Sequence, residues 1–513
     1  MNRWTAFVLL LVLAVALALR VSKLDTRPLH NDEAVNAIKI AALWEHGRYK
    51  YDPDEYHGPT LHYATLPLLW LSGARSADDF HDARLRLAPL VCGVGLLILL
   101  LLFWDGLGRS AILWAVLFTA VSPAMVFYSR YFIHEMLLVF FTALTMGAGW
   151  RYFQTRFARW AVVAGVGLGL MVTTKETFVL TFAAMGLAGV VTLWWSLPRG
   201  GKIQSLRAWW NWQHAALALG TAFIIWLALF SSFFTNWAGP LDSIRTYLPW
   251  LKRAGGHSPH IHPWSFYLER LAWFHPAKSP VWSEGLILLL AVIGVVVSLV
   301  KKSPLHRFLA LFTLLLTAIY SVISYKTPWC LLNFYLGMIL LAGVGAAALV
   351  EYVRRRSVKI VLTLALLALT AQLTWQSVRA NFVYAADRRN PYVYAQTVPD
   401  ILNLVQRTEA LARVAPAGFS TVVKVIAPEG DYWPLPWYLR RFQHLGWYEK
   451  LPDDPLAPIM LVSAKLDARL DDKTERKWLM VGLTELRPGK FFEQYVELEL
   501  WKKYVETLPR ERE

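Results

Sequence analysis

Ionisable side chains gather in four short segments of an otherwise apolar chain. Asp32 and Glu33 are adjacent, and a carboxylate of this kind can act as a general base that takes a proton from an attacking hydroxyl. Arg130, Lys175 and Lys326 stand in the other three segments, and such cations can hold a phosphate as charge develops on it. The combination predicts group transfer from a phosphate carrier. The four segments are Leu29–Asn36, Ser129–Glu135, Thr173–Thr177 and Ser324–Trp329.

A structural alternative exists for these residues. Lys175 and Glu176 are neighbours whose charges can pair with one another, and basic side chains near a membrane surface often only snorkel to the interface. Asp32 and Glu33 are harder to explain in this way, because two adjacent like charges repel. We therefore expect the functional signal to be strongest at Asp32.

The composition indicates what holds these segments in place. The chain has 513 residues, of which 56% are hydrophobic and 17% charged, whereas a soluble domain carries about 25% charged residues. Several apolar runs approach the roughly 20 residues that a membrane-spanning helix needs. Disorder, a coiled coil and a soluble enzyme are excluded, and the two cysteines give no disulfide framework. The sequence predicts an α-helical polytopic membrane protein.

Eleven spans are predicted, with boundaries that can move by a few residues. They are Trp4–Val21, Leu87–Trp104, Ala111–Tyr128, Met136–Trp150, Trp160–Thr174, Phe178–Trp195, Ala215–Phe234, Leu286–Val300, Phe308–Ile323, Trp329–Val350 and Ile360–Trp375.

The basic residues predict the orientation. The net charge of +16 lies almost wholly before residue 379, in alternate connections that the positive-inside rule keeps cytoplasmic, which argues against a nucleic-acid partner. We expect a cytoplasmic N-terminus, and an uncleaved first helix because Arg20 and Lys23 occupy the place of a cleavage site. The long connections 22–86 and 235–285 and the C-terminal region are then extracytoplasmic. The basic residues are Arg3, Arg109, Arg156, Arg159, Arg199, Lys202, Arg207, Lys301, Lys302, Arg307 and Arg354–Arg356.

The C-terminal region differs in character from the rest. Pro399–Val414 has apolar residues at helical spacing, and three short segments have the composition of strands: Ser420–Ile426, Pro458–Val462 and Trp478–Leu483. We predict a transmembrane domain over residues 1–377 and a small extracytoplasmic α/β domain over residues 378–513.

The N-terminal third resembles the family 39, protein-mannosyltransferase-type membrane glycosyltransferases. The resemblance is carried by Asp32-Glu33-Ala34, by His57-Gly58-Pro59-Thr60-Leu61-His62-Tyr63, by the segment from Ser129 to Glu135, and by Gly167-Leu168 through Lys175. Each piece alone is weak, but four in order and register are specific.

A closer resemblance, over nearly the whole chain, is to a bacterial and archaeal branch of flippase-activity-associated, glycosyltransferase-like membrane proteins. The residues that carry it are His30-Asn31-Asp32-Glu33-Ala34, Tyr325-Lys326-Thr327-Pro328-Trp329, Asn390-Pro391-Tyr392-Val393-Tyr394 and Trp433-Pro434-Leu435-Pro436-Trp437-Tyr438.

These resemblances imply a GT-C fold and an enzyme that takes a hexosyl or pentosyl group from a polyprenyl-phosphate carrier with inversion. Asp32 takes the place of the catalytic base and Glu135 that of a second acidic residue, while Glu33 shapes the site or helps to hold a metal. His57 and His62 fall in a segment expected to contact substrate. Thr60 departs from the family pattern, which usually has a second proline there.

His260 and His262 lie in the second long connection and could bind a divalent metal ion if the backbone is extended. With no matching cysteine or acidic pair nearby, a structural or substrate-contacting role is the favoured interpretation, and the metal stays unassigned.

The sequence thus predicts a glycosyltransferase of the plasma (inner) membrane that acts at the outer face in cell-envelope glycan synthesis. Its partners are membrane lipid, a polyprenyl-phosphate-linked sugar donor and an unidentified acceptor. Two alternatives stay open. A lipid-linked-sugar flippase would need polar residues through the bilayer depth, where few occur, and a non-catalytic scaffold would tolerate loss of Asp32.

Overall fold

The computed structural model describes residues 3–54, 57–196, 211–250 and 260–509. The chain forms two compact units. The membrane unit consists of Met1–Leu24, Ile40–Ala385 and Arg389–Tyr394, and the sheet unit consists of Asp25–Lys39, Ala386–Arg388 and Ala395–Glu513. The predicted limits of residues 1–377 and 378–513 stay predictions.

The described part of the chain is mostly helical. Its α-helices are α1 (Arg3–Val21), α2 (Asn31–His46), α3 (Thr60–Leu71), α4 (Asp82–Leu85), α5 (Leu87–Leu99), α6 (Trp104–Leu107), α7 (Arg109–Val121), α8 (Pro123–Tyr128), α9 (Glu135–Thr155), α10 (Ala158–Val172), α11 (Phe178–Ser196), α12 (Trp212–Phe230), α13 (Ala238–Arg245), α14 (Phe266–Ala272), α15 (Gly285–Val300), α16 (Pro304–Val322), α17 (Leu332–Tyr352), α18 (Arg356–Val378), α19 (Asp400–Val414), α20 (Leu435–Tyr438), α21 (Leu470–Lys473) and α22 (Leu498–Glu506).

An apolar helix occupies the place of each of the eleven predicted spans. Eight of these helices are long and apolar enough to cross a membrane, and three shorter apolar helices, α7, α10 and α15, lie at the remaining predicted positions. The protein is a multi-pass membrane protein, as predicted. The basic residues Arg199, Lys202 and Arg207, which contribute to the predicted topology, lie outside the described residues.

The core of the membrane unit lies around the helix that runs from Pro328 to Tyr352. In the most apolar 18-residue stretch of that helix 94% of the residues are buried, against 17% in the corresponding stretches of α1 and α12. Its backbone approaches α15 closely through glycines. A Cβ atom on Gly294 or on Gly345 would collide with a carbonyl of the facing helix, so small residues permit this packing.

The sheet unit contains a five-stranded sheet of order β2-β1-β3-β5-β4. The strands are β1 (Val423–Ile426), β2 (Leu445–Tyr448), β3 (Ile459–Ser463), β4 (Trp478–Arg487) and β5 (Lys490–Glu497). β1 pairs parallel with both β2 and β3, whereas β5 pairs antiparallel with β3 and with β4. The predicted α/β character of this region is confirmed.

Alternation along β1 and β3 gives the sheet two apolar faces. Val423 and Val425 join Ile401, Leu404 and other residues of α19 in one buried cluster. Ile426, Met460 and Val462 belong to a second cluster. The helix predicted over Pro399–Val414 is confirmed as α19 (Asp400–Val414). Its apolar side chains pack in the first cluster.

Candidate active site

The predicted site residues are divided between the two units. Asp32 and Glu33 belong to the sheet unit, through its segment Asp25–Lys39, whereas Glu135, Lys175 and His57 belong to the membrane unit.

Asp32 and Glu33 stand in different environments at the start of α2. The Glu33 side chain is fully buried, accepts a hydrogen bond from the His30 backbone N–H (3.0 Å) and lies 3.5 Å from the Arg27 guanidinium. It therefore caps the helix from its third position. The Asp32 side chain is 43% exposed, and its Oδ1 lies 3.8 Å from His30 Nδ1. Of the two carboxylates, Asp32 is the one open to a reacting molecule.

His30 fixes the local charge around Asp32. The Asp32 backbone N–H donates to His30 Nδ1 (3.1 Å), so Nδ1 carries no proton. Burial lowers the pKa of His30 below its usual 6.5 and outweighs the nearby Asp32 and Glu33 carboxylates. The exposed Asp32 side chain therefore has a neutral imidazole as its neighbour.

In the membrane unit, Lys175 forms a buried ion pair with Glu135. Glu135 begins α9, and Lys175 lies in the turn between α10 and α11. Burial acts to lower the pKa of Lys175, but the Glu135 carboxylate acts in the opposite direction. The net pKa of Lys175 lies above its usual value. The contact with Glu135 thus stabilises the Lys175 ammonium, which would be costly to bury alone in a low dielectric.

Glu176 pairs with His57 and not with its neighbour Lys175. His57 Nδ1 lies 2.7 Å from Glu176 Oε2, and the Tyr51 hydroxyl donates to Glu176 Oε1 (3.2 Å). Burial acts to raise the pKa of Glu176, but His57 lowers it more, and the net pKa lies below its usual value. The two adjacent charges of the turn therefore have separate partners.

The segment that carries His57 is held against that turn by its backbone. Thr60 N–H donates to the Thr173 carbonyl (3.0 Å), and the two threonine hydroxyls lie 2.7 Å apart. A proline at position 60 could not make the first bond. A Cβ atom on Gly58 would collide with the Thr173 carbonyl, so glycine is required at this close approach.

His134 and His62 complete this buried polar cluster. The ring of His134 lies 5.1 Å from that of His57 and 5.8 Å from that of His62. His134 Nε2 donates to the Gly58 carbonyl (3.1 Å), which places the imidazole proton on Nε2. Burial, followed by the neighbouring histidines and Lys175, keeps the pKa of His134 well below 6.5.

An apolar cavity of about 350 Å³ adjoins Glu176. Its lining residues are Tyr51, Val172, Glu176, Phe178, Ala222, Phe223, Trp226, Phe230, Ser243, Ile244, Thr246 and Tyr247. Phe223 and Ile244 are 55% and 59% exposed, so part of the wall faces the surroundings of the helices. The cavity thus joins an apolar surface to the buried carboxylate of Glu176.

Lys326, His260 and His262 meet at a second place in the membrane unit. Lys326 Nζ donates to the carbonyls of His262 (3.2 Å) and Ile323, and the Lys326 backbone N–H donates to the His260 carbonyl (2.8 Å). His260 Nδ1 and His262 Nε2 lie 2.7 and 3.4 Å from the Tyr394 hydroxyl. These contacts fasten the connection to the turn before α17, and the predicted substrate contacts stay predictions.

Arg130 closes the end of α1. Its guanidinium donates to the carbonyls of Leu19 (3.0 Å), Arg20 (3.1 Å), Ser22 (2.6 Å) and Lys23 (2.9 Å). A cation at the carboxyl end of a helix satisfies carbonyls that lack a partner. Arg130 is thus a helix cap, and its predicted phosphate contact stays a prediction.

Glu284 is a buried polar residue that the sequence prediction does not include. It accepts hydrogen bonds from the hydroxyls of Ser122, Tyr335 and Tyr392, each at 2.6 Å, and from the Ala124 N–H at 2.9 Å. Burial raises the pKa of Glu284 above its usual value. The tyrosine of Asn390-Pro391-Tyr392 therefore has a structural partner in the membrane unit.

A metal site receives no support from the donor set. Among residues 3–54, 57–196, 211–250 and 260–509, no group of three or more His, Cys, Asp or Glu side chains is placed to hold an ion.

One family model matches part of this chain. Residues 66–237 match the family model of the dolichyl-phosphate-mannose-protein mannosyltransferases. This segment contains Glu135, Lys175 and Glu176, and most of the residues that line the cavity. No curated protein sequence matches the chain.

Solved structures share the fold at low sequence identity. ArnT from Cupriavidus metallidurans in the apo state is 16% identical over 96% of this chain and 98% of its own, with a TM-score of 0.60. The same protein bound to undecaprenyl phosphate is 15% identical over 94% of this chain and 97% of its own, with a TM-score of 0.58. The archaeal oligosaccharyltransferase AglB from Archaeoglobus fulgidus, in complex with an inhibitory peptide and a dolichol-phosphate, is 12% identical over 91% of this chain and 70% of its own, with a TM-score of 0.59.

The chain therefore has the GT-C fold of membrane glycosyltransferases. The resemblance to the protein-mannosyltransferase-like group, predicted from the sequence, is confirmed by the matched segment and by this fold. The closer resemblance to the flippase-activity-associated branch stays a prediction.

Proposed function

We propose that the protein is an integral-membrane glycosyltransferase that moves a sugar from a polyprenyl-phosphate carrier to an acceptor at the outer face of the membrane, with inversion. The observation that carries the proposal is the apolar cavity with Glu176 in its wall, within the segment that matches a lipid-phosphate-dependent family. An apolar groove that ends at a few polar groups suits a lipid with a polar head. Two structures that share the fold are ArnT bound to undecaprenyl phosphate and AglB in complex with a dolichol-phosphate.

In the proposed reaction, Asp32 takes the proton of an acceptor hydroxyl. The hydroxyl oxygen forms a bond to the anomeric carbon of the sugar as the bond from that carbon to the phosphate oxygen breaks. The polyprenyl phosphate leaves with the bonding electrons, and attack from the opposite face inverts the anomeric centre. The half-exposed Asp32 side chain, beside a neutral imidazole, suits the role of base. The proposed orientation has a cytoplasmic N-terminus and an extracytoplasmic sheet unit.

Loss of the base tests this proposal directly. The full chain in nanodiscs would be incubated with a radiolabelled polyprenyl-phosphate sugar and membranes as a source of acceptor, and label leaving the lipid fraction would be measured. We expect Asp32→Asn to lose transfer by about 10²- to 10⁴-fold, the usual contribution of a general base. Asp25→Asn is the matched control, because Asp25 is an exposed aspartate seven residues earlier in the chain.

Equal transfer by Asp32→Asn and wild type would exclude this mechanism. Movement of a fluorescent lipid across the bilayer without transfer would instead favour the flippase alternative.

A cavity variant tests the lipid part of the proposal. Ala222 is buried in the cavity wall, and Ala216 on the same helix α12 is exposed. Ala222→Leu should narrow the cavity and raise KM for a long-chain donor more than for a short-chain donor, whereas Ala216→Leu should change neither. The same KM for both donors in Ala222→Leu would place the lipid chain elsewhere.

A further inference from the structure

The sheet unit has a topological switch point between β1 and β3. The connection after β1 leads to β2 on one side of the sheet, whereas the connection after β3 leads to β4 and β5 on the other side. The three strands β2, β1 and β3 run parallel. In open α/β sheets, the crevice outside the carboxyl ends of the strands at such a point is where ligands bind.

Charged side chains border this crevice from three loops. Asp431 follows β1 and Lys465 follows β3, and their charged atoms lie 3.1 Å apart. Arg487 Nη2 lies 3.3 Å from the Asp431 carboxylate, and Lys490 also contacts it. Because β5 runs antiparallel to β3, with Phe492 opposite Ser463, the hairpin that carries Arg487 and Lys490 lies at the same edge.

Cations outnumber carboxylates in this cluster. Glu429, in the loop after β1, is the other carboxylate that acts on Lys465, so three cations face two carboxylates. The exposed fraction of the side chain rises from 13% for Asp431 and 17% for Arg487 to 31% for Lys490 and 47% for Lys465. Arg487 Nε is buried and makes no hydrogen bond within the described residues. The ammonium groups of Lys465 and Lys490 are therefore the more exposed part of the cluster, and Asp431 and Arg487 are the more buried part.

The segment that leads to Asp32 is fastened at the same edge of the sheet. Leu29 N–H donates to the Tyr438 hydroxyl (2.7 Å), at the end of the helix that follows the β1 loop. Thr397 donates to the Leu29 carbonyl (2.7 Å), and the next residue, Val398, donates through its N–H to the Leu486 carbonyl, one residue before Arg487. Asp32, the predicted base, thus lies in the first turn of α2, beside the crevice.

We propose that this switch-point crevice, bordered by Asp431, Lys465, Arg487 and Lys490, is an anion-binding site that takes a phosphate group carried by the sugar acceptor. Arginine with lysines suits phosphate, because the guanidinium offers paired donors and the ammonium groups add charge. Asp431 bridges the three cations, which reduces their mutual repulsion, and it competes with the ligand for them. The assignment to the acceptor rests on the proposed function, whereas phosphate binding does not.

Binding of pyrophosphate to the full chain in phosphatidylcholine nanodiscs, measured by calorimetry at low salt, tests the site without turnover. We expect Lys465→Gln/Lys490→Gln to bind at least about tenfold more weakly, because two charge-assisted hydrogen bonds to the phosphate are lost. Asp431→Asn should bind more tightly, by roughly threefold or more, because a competing charge is removed. Variants that only disturb a structural network would not change binding in opposite directions.

Lys502→Gln/Lys503→Gln is the matched control. It removes the same charge from α22, which follows the end of β5 and so begins at the opposite edge of the sheet. This control should bind pyrophosphate as the wild type does. No saturable binding by the wild type, or equal losses in both lysine double variants, would overturn the proposal. If the Lys465/Lys490 variant fails to fold, the direction of the Asp431→Asn change decides.

Nanodiscs that contain phosphatidate separate the two sources of phosphate. Loss of pyrophosphate binding in them assigns the site to a lipid headgroup, whereas unchanged binding assigns it to a soluble phosphate ester, and both results support the site. If the protein binds pyrophosphate in the expected pattern but transfers no sugar, the proposed function is wrong and the crevice is still a phosphate-binding site.

Discussion

Two charged regions of the molecule follow opposite rules. In the membrane unit, Glu135 pairs with Lys175 and Glu176 with His57, and the carboxylates and Lys175 are at most 9% exposed. In the sheet unit, three cations share Asp431 and keep up to 47% of a side chain in water. In these two buried contacts each carboxylate has a single main partner, since an unpaired charge in a low dielectric is costly. Partial exposure permits a surplus of charge, which a ligand can use.

The largest expected effect comes from breaking a buried pair. Lys175→Met leaves the Glu135 carboxylate buried without its cation, and such losses cost about 3–5 kcal/mol of stability. We expect a clear fall in the thermal midpoint of the purified protein, measured by intrinsic fluorescence in a mild detergent. Lys465→Gln in the sheet unit should lower the midpoint far less, because exposed pairs contribute little.

The double variant Glu135→Gln/Lys175→Met provides the control for this prediction. It removes both charges, so much of the lost stability should return, in contrast to either single change. A thermal midpoint of Lys175→Met within error of wild type would show that the pair does not stabilise the membrane unit.

The fold was largely predictable because the apolar runs are long and continuous. Each predicted span coincides with an apolar helix, since a segment surrounded by lipid must satisfy its own backbone hydrogen bonds. The two strands that the sequence prediction does not contain are β2 and β5. β2 includes Gly446, which weakens a strand signal, and β5 begins with charged Lys490 followed by two phenylalanines, so its alternation is hidden.

The candidate site was less predictable because its pairs join distant segments. Lys175 and Glu176 are adjacent, and sequence alone favours their mutual pairing, yet the docking of Gly58 and Thr60 on Thr173 brings His57 to Glu176. No local pattern encodes that contact. The capping role of Glu33 did leave a signal, namely an acidic residue at the third position of a helix.

The next largest effect separates the two adjacent carboxylates of α2. Glu33→Ala removes a buried acceptor from the His30 N–H and a partner from Arg27, and should cost about 1–3 kcal/mol. Asp32→Ala should stay within about 0.5 kcal/mol, because the side chain is half-exposed and away from such features. Thermal midpoints of the two variants would be compared under the same conditions. Equal losses would mean that both carboxylates are structural, which would weaken the case for Asp32 as the base.

The smallest effect is a pH dependence that comes from buried histidines such as His134 and not from the charged cluster around Asp431. The pKa of His134 lies well below 6.5 because of burial, followed by the neighbouring histidines and Lys175, whereas the unfolded chain takes up a proton near 6.5. The unfolded state then binds more protons between these two values, so stability is complete above pH 6.5 and falls as the pH drops below it. The slope from one group is at most about 1.4 kcal/mol per pH unit.

Thermal midpoints between pH 7.5 and 5 would measure this slope in the wild type, in His134→Gln and in His275→Gln. Glutamine at position 134 keeps an amide donor for the Gly58 carbonyl but cannot titrate, so the slope should decrease, while the exposed His275 should leave it unchanged. Parallel profiles for the wild type and His134→Gln would mean that His134 is already solvated. The charged cluster around Asp431 should contribute nothing in this range. Burial acts to raise the pKa of Asp431, but Lys490 and Lys465 lower it more, and the net pKa lies below its usual 3.8. A pH effect that disappears in His134→Gln would thus trace this loss of stability to the burial of one imidazole.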